Sequence, residues 1–294
     1  MSTEILRYAA FTDRPEGGNP AGVVLYASGL DDATMQAIAA EVGYSETAFV
    51  TGTGTDVDVR YFSPLAEVPF CGHATIATGV AWGERHGPGV LRMRTPAGLV
   101  EVTVRDGNGG PPVATLVSVA PSSAPLADED RDEALAALGW SEADLDPALP
   151  PRVAYAGAHH PVLGVADPAP LEALDYDFDR LAALMAARDW TTMQLVYRVD
   201  AATFRSRNPF PPGGVVEDPA TGAAAAALGG YLRELGLVEV PATITIHQGA
   251  ELGRPSLLTV DIPAGETGIA VTGAAVPMQE RGQAPFLHAR KKGA

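Results

Sequence analysis

At 294 residues and 30.4 kDa, with 46 % hydrophobic residues and a mean hydropathy of +0.07, the chain can bury one or two packed cores and does not have the composition of a disordered protein. Twenty Lys+Arg against 36 Asp+Glu give a formal net charge of -16, which excludes an overall basic nucleic-acid face but leaves room for an anionic metabolite in a locally different field. A single cysteine excludes an internal disulfide framework, and no apolar run free of Gly, Pro and charge is long enough to span a membrane; the N-terminal stretch has Glu4 and Arg7 and no apolar signal core, so a cytoplasmic protein is expected.

In chain order, ILRYAAF reads as a strand, DRPEGGNPAG as turn chemistry and VVLYA as a second strand. Residues 31–42 follow a helical pattern, with Asp31 as a cap, Met35, Ile38, Ala39 and Val42 at helical spacing, and Gly43 as the stop. YSETAFV and DVRYF read as strands, and a helix is expected from His73 to Glu84, ending near Gly87. GVLRMRTPAGLVEVTVRDGNG reads as two strands and a turn, and PPVATLVSVAP as one more. The Pro-, Ser- and acid-rich stretch PSSAPLADEDRDEAL marks a crossing between domains. Helices are expected over 128–138 and 177–188, and strands near 152–156, 162–166, 193–199 and 201–206. A helix opens at Thr221 or Gly222 and runs to about Leu235, before the strands ATITIHQG, PSLLTVDI and GIAVTGAAV.

Strands outnumber helices, no βαβ alternation is sustained and no GxGxxG follows a strand, so an α+β chain rich in antiparallel sheet is expected rather than a dinucleotide-binding domain. Two segments correspond: EVPFCGHATIATGVAWGERHG and VEDPATGAAAAALGGYLRELG each place an acid, a proline and a glycine turn before a helix of small residues. The first turn of such a helix presents unpaired backbone N–H groups to an anion, and Gly72 and Gly222 permit close approach to the main chain. An Ala-rich helix packed closely against a sheet is the plainer reading of the same pattern.

Few side chains offer proton transfer. In YSETAFV, strand alternation puts Tyr44, Glu46 and Ala48 on one face and Ser45, Thr47 and Phe49 on the other, making Glu46 a candidate general acid or base. His73 stands at a helix start, where the dipole disfavours imidazolium. Asp218 is either a cap-like acceptor or a group that holds a catalytic residue, while Glu217, of opposite strand direction, reads as structural. Cys71 precedes a helix start and reads as a buried, inert thiol; the alternative is a base in an epimerase or racemase, partnered by an acid. His159, His160 and His247 have no metal-ligand spacing with Cys71, and HExxH and GxSxG are absent, so no metal is expected.

Four ordered motifs carry a resemblance: GNPAGVV at 18–24, YSETAFV at 44–50, RYFSPLAEVPFCGHAT at 60–75 and EDPATG at 217–222, joined by GRPS at 253–256. Together they resemble the phenazine-biosynthesis-like (PhzF-like) isomerase family over nearly the whole chain. The resemblance implies a diaminopimelate-epimerase-like fold: two similar domains, each a barrel-like, mostly antiparallel sheet around a central helix, with the active site in the interdomain cleft. It implies a discontinuous first domain of 1–121 and 272–294, a second of 122–271, and a homodimer. It assigns Glu46, His73 and Asp218 to catalysis, and Asn19, Gly72, Gly222 and Ala223 to substrate binding. The activity implied is cofactor-independent isomerisation of a small carboxylated metabolite; a non-catalytic metabolite-binding protein is the remaining alternative. At Ala223 the family commonly has serine, so this chain lacks a hydroxyl donor and acceptor there.

Overall fold

The computed structural model describes residues 3–279. In chain order its first elements are β1 (Leu6–Ala10), β2 (Asn19–Val24), α1 (Asp32–Val42), β3 (Glu46–Thr51), β4 (Asp56–Phe62), β5 (Glu67–Val68), α2 (Gly72–His86), β6 (Gly89–Thr95), β7 (Gly98–Gly107) and β8 (Gly110–Val117). There follow β9 (Ser122–Pro125), α3 (Asp128–Leu138), β10 (Arg152–Tyr155), β11 (His159–Val165), α4 (Ala169–Glu172), α5 (Phe178–Arg188), β12 (Gln194–Arg198) and β13 (Thr203–Arg207). The last are β14 (Pro209–Phe210), β15 (Val215–Glu217), α6 (Gly222–Glu234), β16 (Ala242–Gln248), β17 (Ser256–Ile262) and β18 (Ala270–Pro277). The chain is α+β, and it divides into two compact units: the described residues up to Val117 with those from Thr272, and Ser118–Val271.

In the first unit the strands run β1-β2-β3-β4-β6-β7-β8-β18, and β18 also pairs with β1, so eight strands close into a barrel. The β2–β3 and β4–β6 pairs are parallel, which the expectation of an antiparallel-rich sheet did not anticipate. Parallel neighbours need a long crossover, and the helices supply it. Helix α1 makes the first crossover on the outer face, where Met35 and Ala39 pack with Val24, Phe49 and Phe62. Helix α2 makes the second and contacts β1, β2, β3, β7 and β8, so it runs through the barrel. Every residue from His73 to Gly83 is buried. A helix buried on all sides must be slim, and its small residues meet that need. A Cβ on Gly83 would lie 2.5 Å from Val104 Cγ1, and one on Gly79 2.7 Å from Val102 Cγ1, both on stiff β-branched side chains of β7.

The Ser118–Val271 unit repeats this logic in strands ordered β9-β10-β11-β12-β13-β16-β17, with parallel β11–β12 and β13–β16 pairs. Helices α4 and α5 lie in the first crossover and α6 in the second. The α3 and α5 side packs Leu138, Leu181 and Met185 with Leu163 and Leu195. Helix α6 contacts β9, β10, β11 and β17, strands from both ends of the sheet order, so the sheet curves around it. Its residues Ala224–Leu232 are buried, and a Cβ on Gly230 would lie 2.4 Å from Pro121 Cβ.

Asp31 caps α1 by accepting from Thr34 N–H, Gly43 ends it in the left-handed region, and α3 spans the expected 128–138. One boundary is corrected. The stretch DRPEGGNPAG reads as turn, yet β2 begins at Asn19, and the strand expected from VVLYA stops at Val24. Pro20 is tolerated because pairing with parallel β3 starts only at Ala21; its missing N–H falls outside that ladder. The segment read as a crossing, PSSAP, also forms a strand, β9, against β10.

Replacing Gly83 by valine is expected to lower unfolding free energy by about 1–3 kcal/mol through overpacking, more than the helix-propensity gain offsets. A lower urea midpoint at unchanged slope is the expected outcome; an unchanged midpoint contradicts the packing.

Candidate active site

Glu46 begins β3, and strand alternation decides where it points. Phe49 turns outward into the α1 cluster, while Glu46 turns to the start of α2. There Cys71 Sγ donates to Glu46 Oε2 at 3.3 Å, His73 Nε2 lies 3.4 Å from the same oxygen, and Cys71 Sγ lies 3.3 Å from His73 Nδ1. Ser45 Oγ is 3.3 Å from His73 Nε2. The carboxylate, thiol and imidazole thus form one cluster, their ligand-capable atoms all within 4.8 Å of each other. Cys71 and His73 are buried, and the Glu46 side chain keeps 14 % of its surface open.

The cluster sits on a fixed base. The Cys71 carbonyl accepts from both the Thr75 backbone N–H and Thr75 Oγ1, and Thr75 Oγ1 lies 2.7 Å from the Tyr61 hydroxyl. Cys71 occupies the N-cap position of α2 in an extended conformation and makes no capping bond with its side chain. Gly72, the next residue, is partly exposed. The helix start therefore presents main-chain donors beside the cluster. Burial lowers the His73 pKa from its ordinary 6.5, opposed by the nearby Glu46 charge and by the hydrogen bond a ring N–H donates to the Pro20 carbonyl. His73 is neutral at pH 7. The thiol expected to be inert is buried as anticipated, but its contacts tie it to the acid and the imidazole. Asn19, at the first position of β2, is 2 % exposed.

In the Ser118–Val271 unit, Asp218 lies four residues before α6 and is buried. Its Oδ2 accepts from Thr221 Oγ1, its N–H donates to the Asn208 carbonyl, and its carbonyl accepts from Gln248 Nε2 at 2.7 Å. Gln248 Oε1 accepts from Thr221 N–H, so one amide side chain clamps the turn before the helix. Gly249 makes the clamp possible: its φ is +76°, and a Cβ there would lie 2.6 Å from the Pro219 carbonyl oxygen. Gly222 opens α6 buried, Ala223 is partly exposed, and Thr221 makes no capping bond with its side chain. Glu217 has the structural place expected of it: Arg207 Nε donates to both of its carboxylate oxygens, and Arg207 Nη1 donates to the Leu171 carbonyl.

Beneath Asp218, Asn208 is held by Ser206, Thr192 and Gln194, and Thr192 Oγ1 lies 2.9 Å from His160 Nδ1. Sequence reading passed over Thr221, Gln248 and Asn208. Gln248 had a signal: it continues the inward Ile244, Ile246 register of β16, where an amide needs a buried partner. A cavity of about 510 Å³ lined by Trp140, Asp144, Asp167 and Asp175 contains none of these residues. Volume alone does not make a reaction centre, and the acid–thiol–imidazole cluster has the relevant chemistry.

The model of the phenazine biosynthesis-like protein family matches residues 8–281. The chain belongs to this family. It is a PhzF-like isomerase. An uncharacterized isomerase of Escherichia coli O157:H7 is 32% identical over 288 residues, covering 94% of this chain and 96% of that one. A trans-2,3-dihydro-3-hydroxyanthranilate isomerase of Pseudomonas chlororaphis is 35% identical, covering 85% and 86%. The crystal structure of a Bacillus anthracis PhzF-family phenazine biosynthesis protein superposes with a TM-score of 0.83 at 27% identity, over 94% of this chain and 96% of that one. Among the described residues, no helix is long and apolar enough to cross a membrane.

The buried network makes a pH prediction. Burial lowers the His160 pKa from 6.5 to about 4. Between these values the unfolded chain binds a proton that the folded chain does not, so stability rises with pH through this window. Going from pH 7 to pH 4 is expected to cost about 3 kcal/mol through this group alone. Thermal unfolding measured across that range checks it: His160→Gln flattens the slope, and an unchanged slope contradicts the assignment.

Proposed function

We propose that this isomerase works without a cofactor, by general acid/base proton transfer on a small carboxylated molecule, with Glu46 as the group that moves the proton. The observation that carries this reading is the partly open Glu46 carboxylate, held against a buried neutral imidazole at an uncapped helix start. Glu46 removes a proton from carbon, the electron pair spreads toward the substrate's unsaturated, carboxylated end, and the proton is returned at a different carbon. Main-chain N–H groups in the first turn of α2 stabilise the negative charge that develops. A neutral His73 donates or accepts a hydrogen bond without attracting Glu46 into a fixed ion pair.

The same reading gives Asp218, with His73, the arranging of charge and hydrogen bonds in catalysis, and gives Gly222 and Ala223 a share in holding the substrate, with Asn19 and Gly72. It assigns them to two similar domains, each a sheet around a central helix. The matching alternation of antiparallel and parallel pairs, with α2 and α6 in equivalent crossovers, supports the similarity of the two domains. The Pseudomonas chlororaphis relative, named for an isomerisation of trans-2,3-dihydro-3-hydroxyanthranilate, supports a cyclic carboxylate as substrate class. Ala223 argues for a substrate that does not require a side-chain hydroxyl at that position.

A second reading has a specific observation behind it. Cys71 touches both Glu46 and His73, so a thiol base with an acidic partner would make the enzyme an epimerase. Incubation of small carboxylated dienes and amino acids, trans-2,3-dihydro-3-hydroxyanthranilate among them, in deuterated water separates the two. The expected outcome is an isomerised product with solvent deuterium on carbon, a kcat about 10²–10⁴-fold lower for Glu46→Gln and a nearly unchanged KM. Activity that survives in Glu46→Gln but is lost in Cys71→Ser would select the epimerase instead. Loss in Glu46→Gln that does not deepen with Asp218→Asn would show the two acids acting as one unit.

A further inference from the structure

The Glu46–Cys71–His73 cluster has a geometry that proton transfer does not require. Taking Nε2 as the imidazole donor, Cys71 Sγ stands 3.3 Å from Glu46 Oε2, His73 Nε2 3.4 Å from the same oxygen and Cys71 Sγ 3.7 Å from Nε2, while Nδ1, on the other side of the ring, is 3.3 Å from the sulfur. A tetrahedral zinc ion, with a sulfur ligand at about 2.3 Å and nitrogen and oxygen ligands at about 2.0 Å, sets its donor atoms about 3.3–3.6 Å apart. The three donors therefore already stand close to three vertices of one tetrahedron.

We propose that this triad binds a single Zn²⁺ ion, and that the bound ion shuts off the acid/base chemistry of the site. The donor set is the right kind. A thiolate, an imidazole nitrogen and a carboxylate suit zinc, whereas an all-oxygen set would suit Mg²⁺ or Ca²⁺. His73 also donates a ring N–H to the Pro20 carbonyl, the kind of outer contact that fixes the tautomer and orientation of a metal-ligating imidazole. The Thr75 bonds to the Cys71 carbonyl hold the sulfur's main chain in place. Coordination needs little rearrangement. Zinc takes up the Cys71 sulfur as thiolate, and the thiol proton passes to solvent. The open edge of Glu46 gives the ion a way in, and a water completes the fourth position. Coordination through Oε2 places a dication on the carboxylate and lowers the basicity of both of its oxygens, so Glu46 is a far weaker base toward carbon and zinc is an inhibitor here rather than a cofactor.

Zinc binding at the triad is measured without a substrate. Full-length protein, freed of metal by a chelator, is titrated with Co²⁺ and followed by absorption, then with Zn²⁺ in competition. The expected result is one equivalent of Co²⁺ with a thiolate-to-cobalt charge-transfer band, displaced by Zn²⁺. Cys71→Ser removes the band, and Cys71→Ser and Glu46→Gln each weaken Zn²⁺ binding at least about tenfold. His247→Ala, at an exposed position of β16, leaves both unchanged. Absence of the band in the unaltered protein, or Zn²⁺ affinity equal in the unaltered, Cys71→Ser and Glu46→Gln proteins, overturns the proposal. Circular dichroism of each variant establishes that it is folded, and the two ligand variants carry the test independently. A zinc site found in a protein inactive on every carboxylate would sustain this inference while the isomerase mechanism failed; an active protein without the band would do the reverse.

Discussion

Helix α2 is buried on every side by a barrel that closes around it, and the chemistry of the first unit follows from that enclosure. A barrel of eight strands has room inside for side chains or a slender element, not for both in bulk. Gly79 and Gly83 let the helix lie directly on Val102 and Val104 of β7, and alanines and threonines alternate with the few larger side chains along the rest of its buried length. The helix is also the crossover that makes β4 and β6 parallel neighbours, so its start is set by the end of the β4–β5 ladder. The chain therefore has little freedom in where Cys71, Gly72 and His73 go.

Enclosure also sets the electrostatics. Taking His73 out of water disfavours its charged form, and the helix dipole acts in the same direction. The Glu46 charge and the Pro20 carbonyl oppose this without overcoming it. An imidazole that stays neutral beside a carboxylate leaves the carboxylate free to exchange protons with something else. In the Ser118–Val271 unit, burial is handled differently. Asp218 is tied into a turn by Thr221 and Gln248, and the polar groups beneath it hold one another. That arrangement favours rigidity and positioning over proton exchange.

Much of this was legible in the sequence, for identifiable reasons. Helices with a strong cap and stop, such as the one from Asp31 to Gly43, follow from local chemistry alone. So does the alternation that sends Glu46 one way and Phe49 the other. What escaped was non-local. Pro20 looks like a turn residue, and only the register of β2 against β3 shows why a strand tolerates it. Parallel pairing is invisible until the crossovers are placed. The role of Gln248 depends on a partner 30 residues away, Asp218, and the company of Cys71 on a strand 25 residues earlier. The small-residue pattern gave the starts of two buried helices, but the thiol that reads as inert filler in sequence stands within hydrogen-bond reach of an acid and a base.

Enclosure keeps His73 neutral while it remains in electrostatic contact with Glu46. An NMR pH titration of the histidine side chains, in the unaltered protein and in Glu46→Gln, tests this most directly. The predicted result is a His73 midpoint below 6.5 that falls further once the Glu46 charge is removed. A midpoint at or above 6.5, or one that does not move in Glu46→Gln, would contradict it.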